Sequence, residues 1–223
     1  MQEGEPVYFE LDALSENARY KLLVGTVVPR PIALVVTRDR RGVLNAAPFS
    51  WFNTVSSEPP VVVLGIASRL VEERKHGGAE QKDTLANIRD TGEFVVNLVS
   101  EAIAAQTNIT EGDFPPEEDE VAIAGLRTAA SSKVGPPRIA DSPVSIECTT
   151  MQIVPLSDTS AIVLGRALAM HIADDCMLDP ERHYVDTPKL GLVGRMHAAG
   201  WYARTSDLFH LGKVDMQRPA PGR

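Results

Sequence analysis

The sequence predicts a mainly β fold of antiparallel strands with a few added helices. Three observations lead there. Short runs rich in β-branched residues recur along the chain, the connections between the first of them are too short for parallel crossovers, and only a few segments show a helical pattern.

Residues 1–24 begin polar and finish with Arg19-Tyr20-Lys21-Leu22-Leu23-Val24, which reads as an arm and a short packed element ended by Gly25. Pro29-Arg30-Pro31 then precedes Ile32-Ala33-Leu34-Val35-Val36-Thr37, a strand buried on both faces, with the prolines at a strand edge or bend because proline cannot donate to a ladder. Asp39-Arg40-Arg41-Gly42 is a turn. Residues 43–60 follow as a second strand, and Glu58-Pro59-Pro60 closes it ahead of a third, Val61-Val62-Val63-Leu64-Gly65-Ile66, so that the three are expected as one antiparallel meander. A polar, positively charged loop covers 67–81. Lys82 to Gly92 then carries a capping residue, Leu85 and Ile88 on one face and a terminal glycine, which is a short helix.

Glu93 to Val99 is a further strand and Ser100 to Thr110 is helical. The acidic run Glu117-Glu118-Asp119-Glu120 reads as a solvated helix start, where carboxylates favour the dipole. Ser145–Val154 and Ala161–Ile172 are two long strands. In the second, a two-residue period puts Val163, Gly165, Ala167, Ala169 and His171 on one face and Ile162, Leu164, Leu168, Met170 and Ile172 on the other. The small-residue face implies close approach by something bulky or relief of packing against a neighbour.

The chain of 223 residues is expected to be a single domain, with an N-terminal arm over about 1–19 and a C-terminal tail over about 212–223. Its formal charge of −8 argues against nucleic acid or an anionic membrane as the main partner. Neither a signal peptide nor an apolar run near the roughly 20 residues that span a bilayer is present, and Cys148 and Cys176 form no disulfide framework, so a cytoplasmic protein is expected. No Gly-x-Gly-x-x-Gly follows a strand, no Walker loop or Gly-x-Ser-x-Gly elbow occurs, and the five histidines lack metal-ligand spacing. Chemistry, if the protein performs any, then falls to a bound organic cofactor.

Two stretches have the composition of a cofactor site. In 43–60, polar Asn45, Ser50 and Asn53 are threaded among Pro48, Phe49, Trp51 and Phe52; apolar groups of this kind cover a planar ring while amides and hydroxyls address its edges. An ordinary core-filling strand has the same residues. Lys82-Asp83-Thr84, at a helix start, is the best anion site: free N–H groups, the dipole, the Lys82 charge and the Thr84 hydroxyl suit a phosphate, and Ser68 and Arg69 could meet it from another side.

These stretches, in their order along the chain, resemble the flavin reductase-like family of FMN-binding split barrels, which contains flavoredoxin-type proteins and the reductase components of two-component monooxygenases. The resemblance runs from about Tyr20 to about Leu211 through Val28-Pro29-Arg30-Pro31-Ile32-Ala33, the stretch Asn45 to Asn53, Lys82-Asp83-Thr84 with Asn87-Ile88, Gly92 to Asn97, and Ser145-Ile146-Glu147-Cys148. It implies a six-stranded antiparallel Greek-key split barrel, a homodimer, and FMN near the boundary between subunits. By matching position, Asn45, Ala46, Ala47, Pro48, Ser50, Trp51, Phe52 and Asn53 would line the ring and ribityl chain. Ser68, Arg69, Lys82, Asp83 and Thr84 would surround the phosphate. His171 would approach the flavin as the catalytic side chain, and Arg195 and Tyr202 match a late Arg-to-aromatic motif, although Met196-His197-Ala198-Ala199-Gly200 stands where the family often has a Gly-rich link. The implied activity is NADH- or NADPH-dependent flavin reduction, with electrons passed to a partner protein, a monooxygenase or another acceptor; the alternative is an FMN-binding electron carrier that does not use NAD(P)H. Within the stretch, Asn45, Ser50 and Trp51 are the leading ligands, while Phe49 and Phe52 alternate into a core.

Overall fold

The computed structural model describes residues 5–67, 81–197 and 200–212. The chain opens with exposed residues and helix α1 (Glu16–Thr26), capped by Ser15, whose hydroxyl accepts from the Ala18 N–H. Part of the expected arm is therefore helical, and the helix runs through Gly25. It stops because Pro29 follows closely: the residue before a proline is pushed out of the helical region, and Val27 closes the helix with its N–H on the Leu23 carbonyl.

Strands β1 (Arg30–Pro31), β2 (Ala33–Arg38), β3 (Leu44–Phe49), β4 (Phe52–Ser57) and β5 (Pro60–Ile66) come next, then α2 (Asp83–Thr91) and β6 (Glu93–Leu98). Helices α3 (Ala104–Ile109) and α4 (Glu120–Ile123) precede the short pair β7 (Thr128–Ala129) and β8 (Arg138–Ile139). The long strands β9 (Val144–Pro155) and β10 (Ala161–Ile172) are followed by β11 (Met177–Asp179), β12 (Tyr184–Val185), β13 (Val193–Arg195) and β14 (Tyr202–Arg204).

The main sheet has the order β3-β2-β6-β9-β10-β5-β4, every pair antiparallel. The expected single meander is thus divided. Residues 44–57 form not one strand but two: β3 pairs with β2 as far as Phe49↔Ala33, and β4 pairs with β5 from Phe52↔Leu64. The two edge strands of the sheet are therefore consecutive in the chain, joined by Ser50-Trp51, and the bent stretch counts as two of seven strands where a six-strand barrel was expected. The mainly β architecture with added helices is what the sequence predicts.

Side-chain alternation along β2 explains why this strand is apolar throughout. Ala33 and Val35 join one core with Phe49, Leu64, Phe94 and Val163, while Leu34 and Val36 join a second with Ala46, Ile103 and Val121 beneath α3 and α4. All four β2 residues are fully buried, and each larger side chain contributes about 1.5–3 kcal/mol by leaving water. Phe49 and Phe52 both face the first core, as expected, but strict alternation would put residues three apart on opposite faces, and it is the Ser50-Trp51 bend that brings both to this side.

Along β10 the two-residue reading fails. The pairing passes from Ala167↔Cys148 to Ala169↔Glu147, leaving Leu168 as an extra residue, a β-bulge that exchanges the faces beyond it. Ala167 consequently packs on the first core, whereas Ala169 and His171 share the opposite face with Glu147 and Ser145. The smallness of Gly165 also has a local cause, since a Cβ there would run into the buried Phe94 ring.

Candidate functional site

The bend between β3 and β4 interrupts the in–out alternation, and its consequence is an outward Trp51. The indole is 49% exposed between Phe49 at 5% and Phe52 at 8%. Gly65 on β5 permits this placement: its N–H donates to the Trp51 carbonyl at 2.7 Å, and a Cβ on Gly65 would stand only 3.0 Å from the Trp51 Cβ. Beside the indole lies a cleft of about 260 Å³, lined by Ser50, Trp51, Phe52 and Asn53 from the bend, by Leu23, Val24 and Val27 from the end of α1, and by Pro29, Arg30 and Pro31. Mostly apolar walls with a few polar groups are what an aromatic ligand requires.

Arg30 holds these walls together. Its side chain donates from Nε to Ser50 Oγ (3.2 Å), from Nη1 to the carbonyls of Val24 (2.6 Å) and Val27 (3.0 Å), and from Nη2 to the Met196 carbonyl (2.8 Å). Only 8% of the residue is exposed, and burial lowers its pKa, with neighbouring Tyr20 acting against the shift and Arg195 adding to it. The bonds to α1 suit a cation, because the last carbonyls of a helix are both unpaired and negative. The motif search did not single out Arg30; the available signal was a charged residue clasped between two prolines at the edge of a fully apolar strand.

Next to Arg30 in the β1–β13 pairing stands Arg195. It donates to the Tyr202 hydroxyl at 2.5 Å and to Glu111 Oε1 at 2.7 Å, and its guanidinium sits 4.8 Å from the Tyr202 ring centroid. Burial, then Glu111, raises the Tyr202 pKa against the opposing effect of Arg195. The expected Arg-to-aromatic pair is therefore closed upon itself, one strand away from the cleft.

At the start of α2, Lys82 is the N-cap and its Nζ lies 5.2 Å from the Phe49 ring centroid. The helix start and the aromatic stretch are thus neighbours. Three of the expected ligands nevertheless turn inward. The Thr84 hydroxyl, 1% exposed, donates to Asn45 Oδ1 at 2.7 Å rather than facing solvent, and Asn45 Nδ2 donates to Glu120 Oε2 at 2.8 Å. Ala46 is fully buried and its N–H donates to the same Glu120 oxygen at 2.7 Å. Glu120, expected on a solvated face, is 5% exposed and ties α4 to β3. Asn45, Ala46 and Thr84 are so placed because a buried polar group must find partners, and they find one another. Asp83 faces a second cleft, of about 270 Å³, between α2, the turn at Asp39 to Val43, and the loop before α4. Ala47 and Pro48 are half-buried on β3, and Ser68 and Arg69 lie outside the described residues.

His171 is not brought to the Trp51 cleft within one chain. The row of β10 nearest Trp51 is Ile162, paired with Gly65, and His171 lies roughly 30 Å farther along the strand at about 3.3 Å per residue. There its Nε2 meets Glu147 Oε1 at 2.6 Å. Glu147 has a fully buried side chain and also accepts from the N–H groups of Ser132 (2.7 Å) and Lys133 (2.5 Å). Burial by itself would raise the Glu147 pKa, but the bonds from Ser132, His171 and Lys133 outweigh it and hold the carboxyl below its ordinary value.

An antiparallel β fold whose two edge strands are joined by one bend, with an outward indole, donors beside it and a cationic helix start on the same stretch, has the features that a planar, anion-bearing ligand requires. The flavin reductase like domain family matches residues 24–188, and the chain belongs to that family. An uncharacterized protein of Deinococcus radiodurans is 43% identical over 211 residues, covering 93% of this chain and 89% of the relative. Among solved structures, 2-nitrobenzoate 2-nitroreductase NbaA of Pseudomonas fluorescens superposes with a TM-score of 0.83 at 31% identity, covering 96% of this chain and 100% of the other. Nitrilotriacetate monooxygenase component B of Bacillus cereus gives a TM-score of 0.83 at 28% identity over 93% and 100% of the two chains.

Proposed function

We propose that this protein is an FMN-binding oxidoreductase that uses NADH or NADPH to reduce flavin and passes the electrons to a partner or acceptor. Family membership supports flavin-linked redox chemistry, and the observation that carries the assignment to this surface is the outward Trp51 between Ser50 and Asn53, on the bend that follows Phe49, whose ring lies 5.2 Å from Lys82 Nζ. The donor set fits FMN. Trp51 and the apolar walls would cover the ring, Ser50 and Asn53 would address its edge, and Lys82 with the positive end of the α2 dipole would hold the phosphate. When bound, the flavin supplies the two-electron chemistry that no side chain here can perform.

In this reading the chain itself binds, orients and excludes water. Ser50 is held by Arg30 and Trp51 is held by Gly65, so the groups facing the ligand are preorganised rather than recruited. Arg195 and Tyr202 brace the strand behind Arg30. His171 enters only through a second copy of the chain, in a homodimer with the flavin near the subunit boundary. A monooxygenase is the partner class suggested by the likeness to nitrilotriacetate monooxygenase component B.

The test is an absorbance spectrum of purified protein with FMN before and after anaerobic addition of NADH or NADPH. Bound flavin that bleaches with one of them is the expected result; absence of both binding and nicotinamide oxidation rejects the proposal. Flavin that binds tightly and is bleached only by a reduced redox protein would instead select the electron-carrier reading, which the family resemblance supports equally.

A further inference from the structure

We infer that Arg30 biases the Trp51 cleft toward hydrogen-bond donors, so that Ser50 and Asn53 select the acceptor-bearing edge of the ligand and favour its electron-rich form. The inference rests on the proposal that flavin occupies this cleft.

Arginine has only donors to offer. Its Nε bond to Ser50 therefore takes one of the two acceptor sites of Oγ, and the hydroxyl proton, which cannot return to the guanidinium, stays available to a ligand. The same guanidinium occupies the Val24 and Val27 carbonyls, both on the cleft wall. The other acceptors at the bend are engaged as well: the Trp51 carbonyl takes the Gly65 N–H, and Asn53 Oδ1 takes the Thr54 N–H at 2.8 Å. Each of these oxygens has one lone pair taken, whereas the Ser50 O–H, the Asn53 Nδ2 hydrogens and the indole N–H remain as donors, so the bend is biased toward donating to a ligand.

The charge has the same sense. All four bonds from Arg30 end on neutral oxygens, and it has no carboxylate partner among the described residues. Its positive charge is met by carbonyl dipoles and by neighbouring Tyr20, while the hydroxyl it bonds is polarised toward the cleft, since hydrogen bonds in a chain reinforce one another at low dielectric. A ring edge of carbonyl and imine acceptors is matched by this surface. Added electron density on that edge strengthens every contact, so the reduced ligand gains more than the oxidised one.

The experiment compares wild type, Ser50→Ala and Arg30→Lys. Affinity of the apoprotein for FMN is read by quenching of flavin fluorescence, and the midpoint potential of bound flavin by redox titration. Ser50→Ala keeps the three carbonyl bonds of Arg30 and so keeps the fold. It is expected to weaken oxidised FMN by about five- to tenfold, the loss of one ordinary hydrogen bond. The reduced form should lose more, moving the potential to more negative values by about 30 mV for each extra tenfold. Arg30→Lys should give a smaller shift of the same sign. Unchanged affinity and potential in Ser50→Ala overturn the inference.

Failure of the flavin proposal itself is distinguishable, because wild type would then bind no flavin. In that case Trp201→Phe leaves Trp51 as the single tryptophan, and its iodide-to-caesium quenching ratio should exceed that of free N-acetyltryptophanamide despite the net charge of −8. A ratio equal to or below that of the free indole overturns the donor-biased cleft.

Discussion

His171 Nε2 is bonded to Glu147 Oε1 at 2.6 Å, and this pair joins β10 to the segment around Ser132 on the sheet face opposite the first core. The bond gives His171 a partner within its own chain and explains why a carboxylate can be fully buried: three donors converge on it.

Glu147 should make stability depend on pH on the acid side. Its folded pKa lies below the ordinary value, so its contribution is complete above the unfolded value of about 4.3 and is lost as pH falls through the folded value. Urea denaturation of wild type between pH 3 and pH 6 should show stability rising with pH across this window. Glu147→Gln should flatten that rise, and parallel slopes in the two proteins would show that the carboxylate is not the group responsible.

Lys82→Ala should separate the phosphate from the ring. A charge-assisted bond of about 1.5–3 kcal/mol predicts that FMN affinity falls by about ten- to a hundredfold. Riboflavin, which has the ring without the phosphate, should bind the variant as it binds wild type. Equal losses for both ligands would move the phosphate elsewhere.

Gly165→Ala tests the explanation offered for the small residues of β10. The new methyl group would meet the Phe94 ring, which is itself fully buried and cannot move aside cheaply. Overpacking of this kind costs about 1–3 kcal/mol, or about 2–4 °C in Tm per kcal/mol for a chain of this size. Adding Phe94→Leu should restore part of the loss, since the clash is with the ring. If Gly165→Ala melts like wild type, the glycine has another purpose.

Both cysteines should be silent in the native protein. Burial, then Glu147, pushes the Cys148 thiol up to about 12, and burial, then Asp175, raises Cys176, which is 3% exposed. At pH 8 the reactive thiolate of Cys148 is then a fraction on the order of one in ten thousand. A disulfide exchange reagent should label neither residue until denaturant is added; prompt native labelling would contradict the burial.

Patterns local to the chain were enough for a good deal of this. The apolar run of β2, the helix between Lys82 and Gly92, and the two long strands follow from periodicity and capping, which depend on residues a few positions apart. So does the placing of Trp51 and Lys82 among residues suited to a cofactor. What only the tertiary structure decided involves partners distant in sequence. The Leu168 bulge, set by pairing with β9, exchanged the faces of β10 and removed His171 from the face on which simple alternation puts it. Burial under α4 turned Asn45 and Thr84 toward each other and Glu120. The Ser50-Trp51 bend carried one half of an apparently continuous strand to the far edge of the sheet, where Arg30 and the end of α1 complete the cleft. A polar side chain in a folded protein goes where its hydrogen bonds can be met, and that destination is set by strand register and helix packing, which no local pattern encodes.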